Sequence, residues 1–231
     1  MGMPLWADCP NCVFYGGDFD PDNPNANGLA NENDATVGGN PYGAATYQNF
    51  VVNGGLFVGG LFTNNLSSLH PTQGYWEIRQ GVSEGNGGTL IASGTASGAN
   101  FSHVPTGRSG FGYTEYQDAI AGISVSLGDG TYWFAVVPND VPVTAKDYAN
   151  SGRSFNSNTF GLNSMGTQIS NQQYFNSSLF GANFTNANNE GVFQTFSSGV
   201  VSNFVPEPSS LLLVGSGLMG AAVAVRRRWF S

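Results

Sequence analysis

The chain has 231 residues, of which only 10% are charged, and its formal net charge at pH 7 is −8. So few basic residues give no basic patch with which to neutralise phosphates, so the composition disfavours binding to anionic lipid head groups, and we expect no nucleic-acid partner. A small share of charged residues also argues against a helical body. The 33 glycines, together with abundant Asn, Ser, Thr and aromatic residues, favour strands and turns.

Residues 1–15 form a first segment without the basic and long apolar stretches of an export signal. We therefore expect such a signal to be encoded upstream of Met1; the alternative is a chain that is never exported. Cys9 and Cys12 are the only cysteines, and their spacing predicts a tight disulfide in an exported protein. Redox activity and metal binding are the other interpretations of this spacing, although two sulfurs alone do not make a zinc site.

Residues 16–40 are rich in Asp, Asn, Gly and Pro and predict a loop. Asp18, Asp20 and Asp22 have the spacing of the first half of a calcium-binding loop. The pattern fails further on, because Asn23 occupies the position of the usual Gly and Leu29 that of the usual Glu. The segment is thus either a calcium site or a solvated acidic loop, and we expect no other cofactor.

Strand patterns separated by turn residues recur at roughly ten-residue spacing after this loop. We predict strands at residues 45–52, 56–63, 74–80, 89–93, 111–116, 123–127 and 131–137. The last of these is apolar on both faces, which is typical of a central strand. Residues 151–203, with many Phe among Asn and Ser, are predicted as long loops closed by a strand near residues 192–200. The sequence therefore predicts an all-β ectodomain over residues 16–204, an antiparallel β-sandwich or jelly roll.

No catalytic motif stands out in this ectodomain. The two histidines, His70 and His103, have no Gly-x-Ser-x-Gly motif or metal-ligand spacing beside them. Carboxylates that a glycosidase would need are present, but each has a simpler interpretation: a surface ion pair for Glu77 with Arg79, a turn for Asp129, and ordinary sandwich positions for Glu84, Glu115 and Asp118.

Four aromatic residues are candidates for stacking on sugars, with core or cross-strand packing as the alternative; they are Tyr75, Trp76, Tyr113 and Tyr116.

The C-terminal segment, residues 205–231, has three parts in a fixed order. Val205, Pro206, Glu207 and Pro208 predict an extended, exposed stretch, because each proline fixes its own φ and restricts the residue before it. Residues 209–225 carry no charge and predict one transmembrane helix of roughly 25 Å. The cluster at Arg226, Arg227 and Arg228 should stay cytoplasmic by the positive-inside rule.

This three-part tail resembles the PEP-CTERM sorting signal of Gram-negative and related bacteria. The resemblance implies export and recognition by exosortase, an integral-membrane enzyme, with cleavage near residues 206–208. The precursor would be a single-pass inner-membrane protein with a cytoplasmic C-terminus. The mature protein would then reach the cell surface or the extracellular space.

The body also resembles a recurrent, uncharacterised body type among PEP-CTERM proteins. The resemblance rests on residues 27–32, 76–90, 107–112, 130–138 and 175–184, and it implies no activity. We therefore expect a non-catalytic surface or extracellular-matrix protein with a structural or adhesive role. The alternative is a polysaccharide-binding module of the matrix, and a glycan hydrolase is not expected.

Overall fold

A computed structural model of the chain describes residues 9, 12–33, 43–139, 152–178, 180–191 and 195–202. Within these ranges the regular structure is β-strand apart from two short 3₁₀ turns, Gly98–Asn100 and Ala187–Asn189. No helix in these ranges has the length and apolar character needed to cross a membrane. The helix predicted at residues 209–225 lies outside them.

The strands are, in chain order, β1 (Cys12–Tyr15), β2 (Gly28–Ala30), β3 (Ala44–Val52), β4 (Leu56–Ser67), β5 (Gln73–Gln80), β6 (Thr89–Ser97), β7 (Phe101–Gly110), β8 (Tyr113–Leu127), β9 (Gly130–Asn139), β10 (Ser154–Ser157), β11 (Tyr174–Ser177), β12 (Ala182–Asn186) and β13 (Ser198–Ser202). They form two antiparallel sheets. One contains β1, β13, β4, β10 and β2, with β8 and β7 added along the other edge of β4. The other has the order β12-β11-β3-β9-β5-β6. The prediction of an all-β antiparallel body is therefore confirmed.

The main hydrophobic core draws side chains from both sheets, as the two layers of a sandwich do. Phe14 of β1 lies 6.1 Å from Phe50 of β3, and Phe50 lies 5.7 Å from Phe134 of β9, measured between ring centroids. Val58 and Ile78 are fully buried in the same cluster, from opposite sheets. Each such side chain contributes about 1.5–3 kcal/mol by leaving water.

Strand β9 faces two hydrophobic clusters, which explains why its sequence is apolar on both faces. Tyr132, Phe134 and Val136 point into the main core. The alternate residues Trp133 and Ala135 point to the opposite face, where a second cluster includes Tyr47, Val82, Tyr174 and Phe184. With β3 on one side and β5 on the other, β9 is a central strand, as the sequence predicts.

The region after residue 151 differs from its prediction. The sequence predicts loops closed by one final strand, which is β13, yet three more strands form: β10 joins one sheet, and β11 and β12 join the other. Several of these strand residues are polar and buried, including Asn156 and Ser157, so the usual alternation of apolar and polar residues is missing. The final strand begins at Ser198, later than predicted, and residues 192–194 lie outside the described ranges.

One further strand prediction needs correction, and one strand has no counterpart among the predictions. Residues 111–116 were predicted as one strand, but Phe111 and Gly112 form the turn between β7 and β8, with φ of 55° and 83°. Positive φ at both central residues is typical of a two-residue hairpin turn. Strand β7, which the sequence pattern did not reveal, carries Pro105 and a register irregularity. Both features are typical of an edge strand.

Candidate functional site

The sorting residues Val205, Pro206, Glu207 and Pro208, and the cluster at 226–228, lie outside the described residues. The other candidate residues lie in the body.

Cys9 and Cys12 are joined by a disulfide, with their Cα atoms 5.4 Å apart. The bridge packs beside buried Tyr15 and Phe62. Cys12 is itself the first residue of β1, whereas a thioredoxin-like motif precedes a helix. This placement supports a structural brace at the start of the first strand.

The three aspartates proposed for calcium serve separate purposes. Asp18 is buried and accepts hydrogen bonds from the Tyr15 hydroxyl at 2.7 Å and from Asn163 Nδ2 at 2.5 Å. Asp20 Oδ1 accepts the backbone N–H of exposed Asp22 at 3.1 Å, which closes a local turn. In the part of the chain that the structure describes, no group of three or more His, Cys, Asp or Glu side chains is placed to hold a metal ion.

Glu115 is a buried carboxylate with several donors around it. Its Oε2 accepts from Thr106 Oγ1 at 2.7 Å and from Arg108 Nε at 2.6 Å, while Ser157 Oγ donates to Oε1. Arg108 also pairs with Asp18, at 3.3 Å between Nη1 and Oδ1. Burial raises the pKa of Glu115, although the Arg108 charge opposes that shift. The arrangement joins strands β7, β8 and β10 to the loop that carries Asp18, and it leaves the carboxylate of Glu115 inaccessible.

Buried Asp118 pairs with half-buried His103. Asp118 Oδ1 lies 2.6 Å from His103 Nδ1, and Asp118 Oδ2 accepts from Asn65 Nδ2 at 2.7 Å. Burial raises the pKa of Asp118, opposed by its hydrogen bond to His103. The imidazole stacks on Tyr116 with 4.1 Å between ring centroids.

An Asp–His pair of this kind acts in acyl transfer only when a nucleophile contacts the other ring nitrogen. Within the described residues, His103 Nε2 is buried and has no hydrogen-bond partner. The pair therefore lacks the third member of a triad in this part of the chain. The second histidine, His70, is exposed between β4 and β5.

Glu77 and Arg79 form the expected ion pair, 2.7 Å between Oε1 and Nε. It is not a surface pair, because Glu77 is only 1% exposed. The hydroxyls of Tyr47 and Tyr75 also donate to its carboxylate, and the Arg79 guanidinium lies 5.3 Å from the ring centroid of Phe184. The second hydrophobic cluster covers this face of the sheet, which the pattern of residues 74–80 alone did not indicate.

Two other acidic residues stabilise turns. Asp129 Oδ1 accepts the backbone N–H groups of Gly54 and Gly55, at 2.6 and 3.0 Å. Glu84 Oε2 accepts the backbone N–H of Asn186 at 2.7 Å. Asp129 thus lies in the turn between β8 and β9, as predicted, and its side chain also stabilises the turn between β3 and β4.

Two of the aromatic candidates pack on the hydrophobic clusters, and a third lines a slot on the surface. Trp76 packs on the main core and Tyr75 on the second cluster. Tyr113, by contrast, lines a surface slot of about 170 Å³ with Phe155, Leu66 and Phe111. Phe111 is 65% exposed.

A larger pocket of about 300 Å³ is lined only by uncharged residues among those described. Thr159, Phe160 and Gly161 follow β10; Gln168, Ser170 and Asn171 precede β11; Thr195 precedes β13. These segments lie far apart in the sequence. No spacing motif links them, so the pocket could not be found from the sequence.

Comparison with known proteins bears on the tail only. Residues 204–228 match the family model described as the PEP-CTERM protein-sorting motif. No curated protein and no solved structure matches the chain, so the resemblance of the body to a recurrent body type remains a prediction. The motif at the C-terminus implies exosortase-dependent sorting of this protein to the cell surface.

Proposed function

We propose that this chain is an exported surface or extracellular-matrix protein with a non-catalytic, structural or adhesive role. The observation that carries the proposal is the sorting motif at residues 204–228. The body supports it, since its buried carboxylates Glu77, Glu115 and Asp118 are each held by hydrogen bonds from neighbouring side chains. Groups so enclosed stabilise a fold and are poorly placed to reach a substrate.

In this proposal the tail first inserts into the membrane and is then recognised by exosortase. Residues 209–225 form a single transmembrane helix, and residues 226–228 remain on the cytoplasmic side. The two prolines keep Glu207 in an extended stretch that a membrane protease can bind. Cleavage near residues 206–208 then releases the body from its helix.

Mass spectrometry of the mature protein from native cells, with and without exosortase, tests this proposal. We expect a C-terminus near residues 206–208 that is lost without the enzyme. Glu207→Ala should impair processing, whereas Glu190→Ala, which removes an exposed carboxylate outside the motif, should not. An intact tail in both strains would refute exosortase processing.

A second candidate function is binding of an extracellular polysaccharide. The uncharged pocket of about 300 Å³ favours it, because ligand pockets combine an apolar wall with a few well-placed polar groups. Retention of the purified protein on insoluble polysaccharides tests this function in general.

A further inference from the structure

The pocket beside Phe160 is fixed to the six-stranded sheet by a network of amides and hydroxyls. Gln48 of β3 is buried, and its Nε2 donates to Gln168 Oε1 at 2.7 Å. The Thr195 hydroxyl lies 2.7 Å from Gln168 Oε1 and 2.8 Å from Gln48 Oε1. The wall formed by Gln168 and Thr195 is thus hydrogen-bonded to strand β3.

The neighbouring wall is fastened in the same way. Asn49 Nδ2 donates to the carbonyl of Ile169 at 2.9 Å, and Asn49 Oδ1 accepts from Ile169 N at 2.7 Å. Asn186 Nδ2 donates to the carbonyl of Asn171 at 2.7 Å. Because these bonds exist before any ligand arrives, binding costs little ordering of the loop.

Polar groups remain for a ligand on the inner side of these walls. Among the described residues, Gln168 uses its carboxamide oxygen in the network, which leaves its N–H groups to donate to a ligand. Ser170 is exposed at the rim, and its hydroxyl can both donate and accept. Phe160, an aromatic residue, lines the same pocket.

We infer that this pocket binds a neutral sugar unit of a polysaccharide. A sugar ring offers hydroxyls that both donate and accept, and it has an apolar face that packs on an aromatic ring. The described lining carries no charge, and a net charge of −8 disfavours an acidic polymer. The volume lies at the lower end for ligand pockets, about 300–1,000 Å³, which suits one or two rings.

This inference rests on the second candidate function, and its test separates the two. The purified full-length chain is run on native gels containing dextran, galactomannan or alginate. We expect retardation by at least one of the neutral polymers and none by alginate. Ser170→Trp, which fills the pocket from its rim, and Phe160→Ala should each raise the dissociation constant at least about tenfold. Ser126→Trp, an exposed serine on β8, is the matched control and should bind as the unaltered chain does.

The melting temperature of each variant is measured alongside, and Phe160→Ala decides the question if Ser170→Trp does not fold. Retardation that persists in the folded pocket variants would overturn the pocket assignment while leaving polysaccharide binding intact. Retardation by alginate alone would overturn the ligand class. No retardation by any of the three polymers would overturn both the pocket assignment and the second candidate function, while leaving the sorting proposal unaffected.

Discussion

Arg108 is the strongest single test of how the body is held together, because it lies between two buried carboxylates. Its Nε is 2.6 Å from Glu115 Oε2 and its Nη1 is 3.3 Å from Asp18 Oδ1. The side chain of Arg108 is 13% exposed, while those of Glu115 and Asp18 are 0% and 4% exposed. Arg108→Met keeps most of the aliphatic stem and removes the charge that both carboxylates face.

Removing one partner of a buried ion pair costs about 3–5 kcal/mol, since the other charge is left uncompensated. Here the lower end applies, because Thr106 and Tyr15 still donate to the carboxylates, each at 2.7 Å. We expect Arg108→Met to lower the free energy of unfolding by about 3 kcal/mol at pH 7. For a domain of this size that corresponds to a fall of about 6–12 °C in melting temperature.

Urea unfolding of the variants at pH 7 measures this cost. The matched variant is Arg108→Met combined with Glu115→Gln, which removes the buried charge together with its partner. We expect the double variant to be more stable than Arg108→Met alone, because an uncharged amide needs no counter-charge. A loss below about 1 kcal/mol in Arg108→Met, or a double variant less stable than the single one, would refute the reasoning.

Three further predictions follow from the same structure. Burial raises the pKa of Glu115 and Asp118. As the pH rises, the unfolded chain therefore loses the protons of these two carboxyl groups before the folded chain does. The contribution of the two groups to the free energy of unfolding should fall above about pH 4. Melting curves at several pH values measure this contribution, which Asp118→Asn should reduce; an unchanged slope in that variant would contradict the assignment. Gly199→Ala should lower the free energy of unfolding by about 1–3 kcal/mol, because the added Cβ would lie 2.3 Å from the Phe62 ring. Gly128→Ala, with nothing within 4 Å of its Cβ, should leave it nearly unchanged. Urea unfolding measures both. Reducing the N-terminal disulfide should cost about 2 kcal/mol, since the loop it closes is short; equal melting curves with and without reductant would contradict this.

The sequence predicts those strands that show either an alternation of residue types or a continuous apolar run. Residues 74–80 alternate and lie within β5, whereas residues 131–137 are apolar on both faces and lie within β9. Strand β10 could not be found in this way, since Ser154 and Asn156 are polar and yet buried. Strand β7 was missed because Pro105 and Gly107 interrupt it. The candidate pocket depends on contacts between such segments, so it could not be predicted from the sequence either.

The many asparagines, interpreted from sequence as turn residues, also build the interior. Asn31 Nδ2 donates to Asn65 Oδ1 on β4 at 3.0 Å and to the carbonyl of Val136 on β9 at 2.8 Å. Asn156 Nδ2 donates to Thr46 Oγ1 on β3 at 2.7 Å and to a second hydroxyl on β13 at 3.1 Å. Each amide therefore ties one sheet to the other, and a buried amide left without partners would cost about 1–3 kcal/mol. Because the same uncharged residue types form turns, cross the core and line the pocket, composition alone cannot tell these roles apart. Only the pairing of each amide with a particular strand does so.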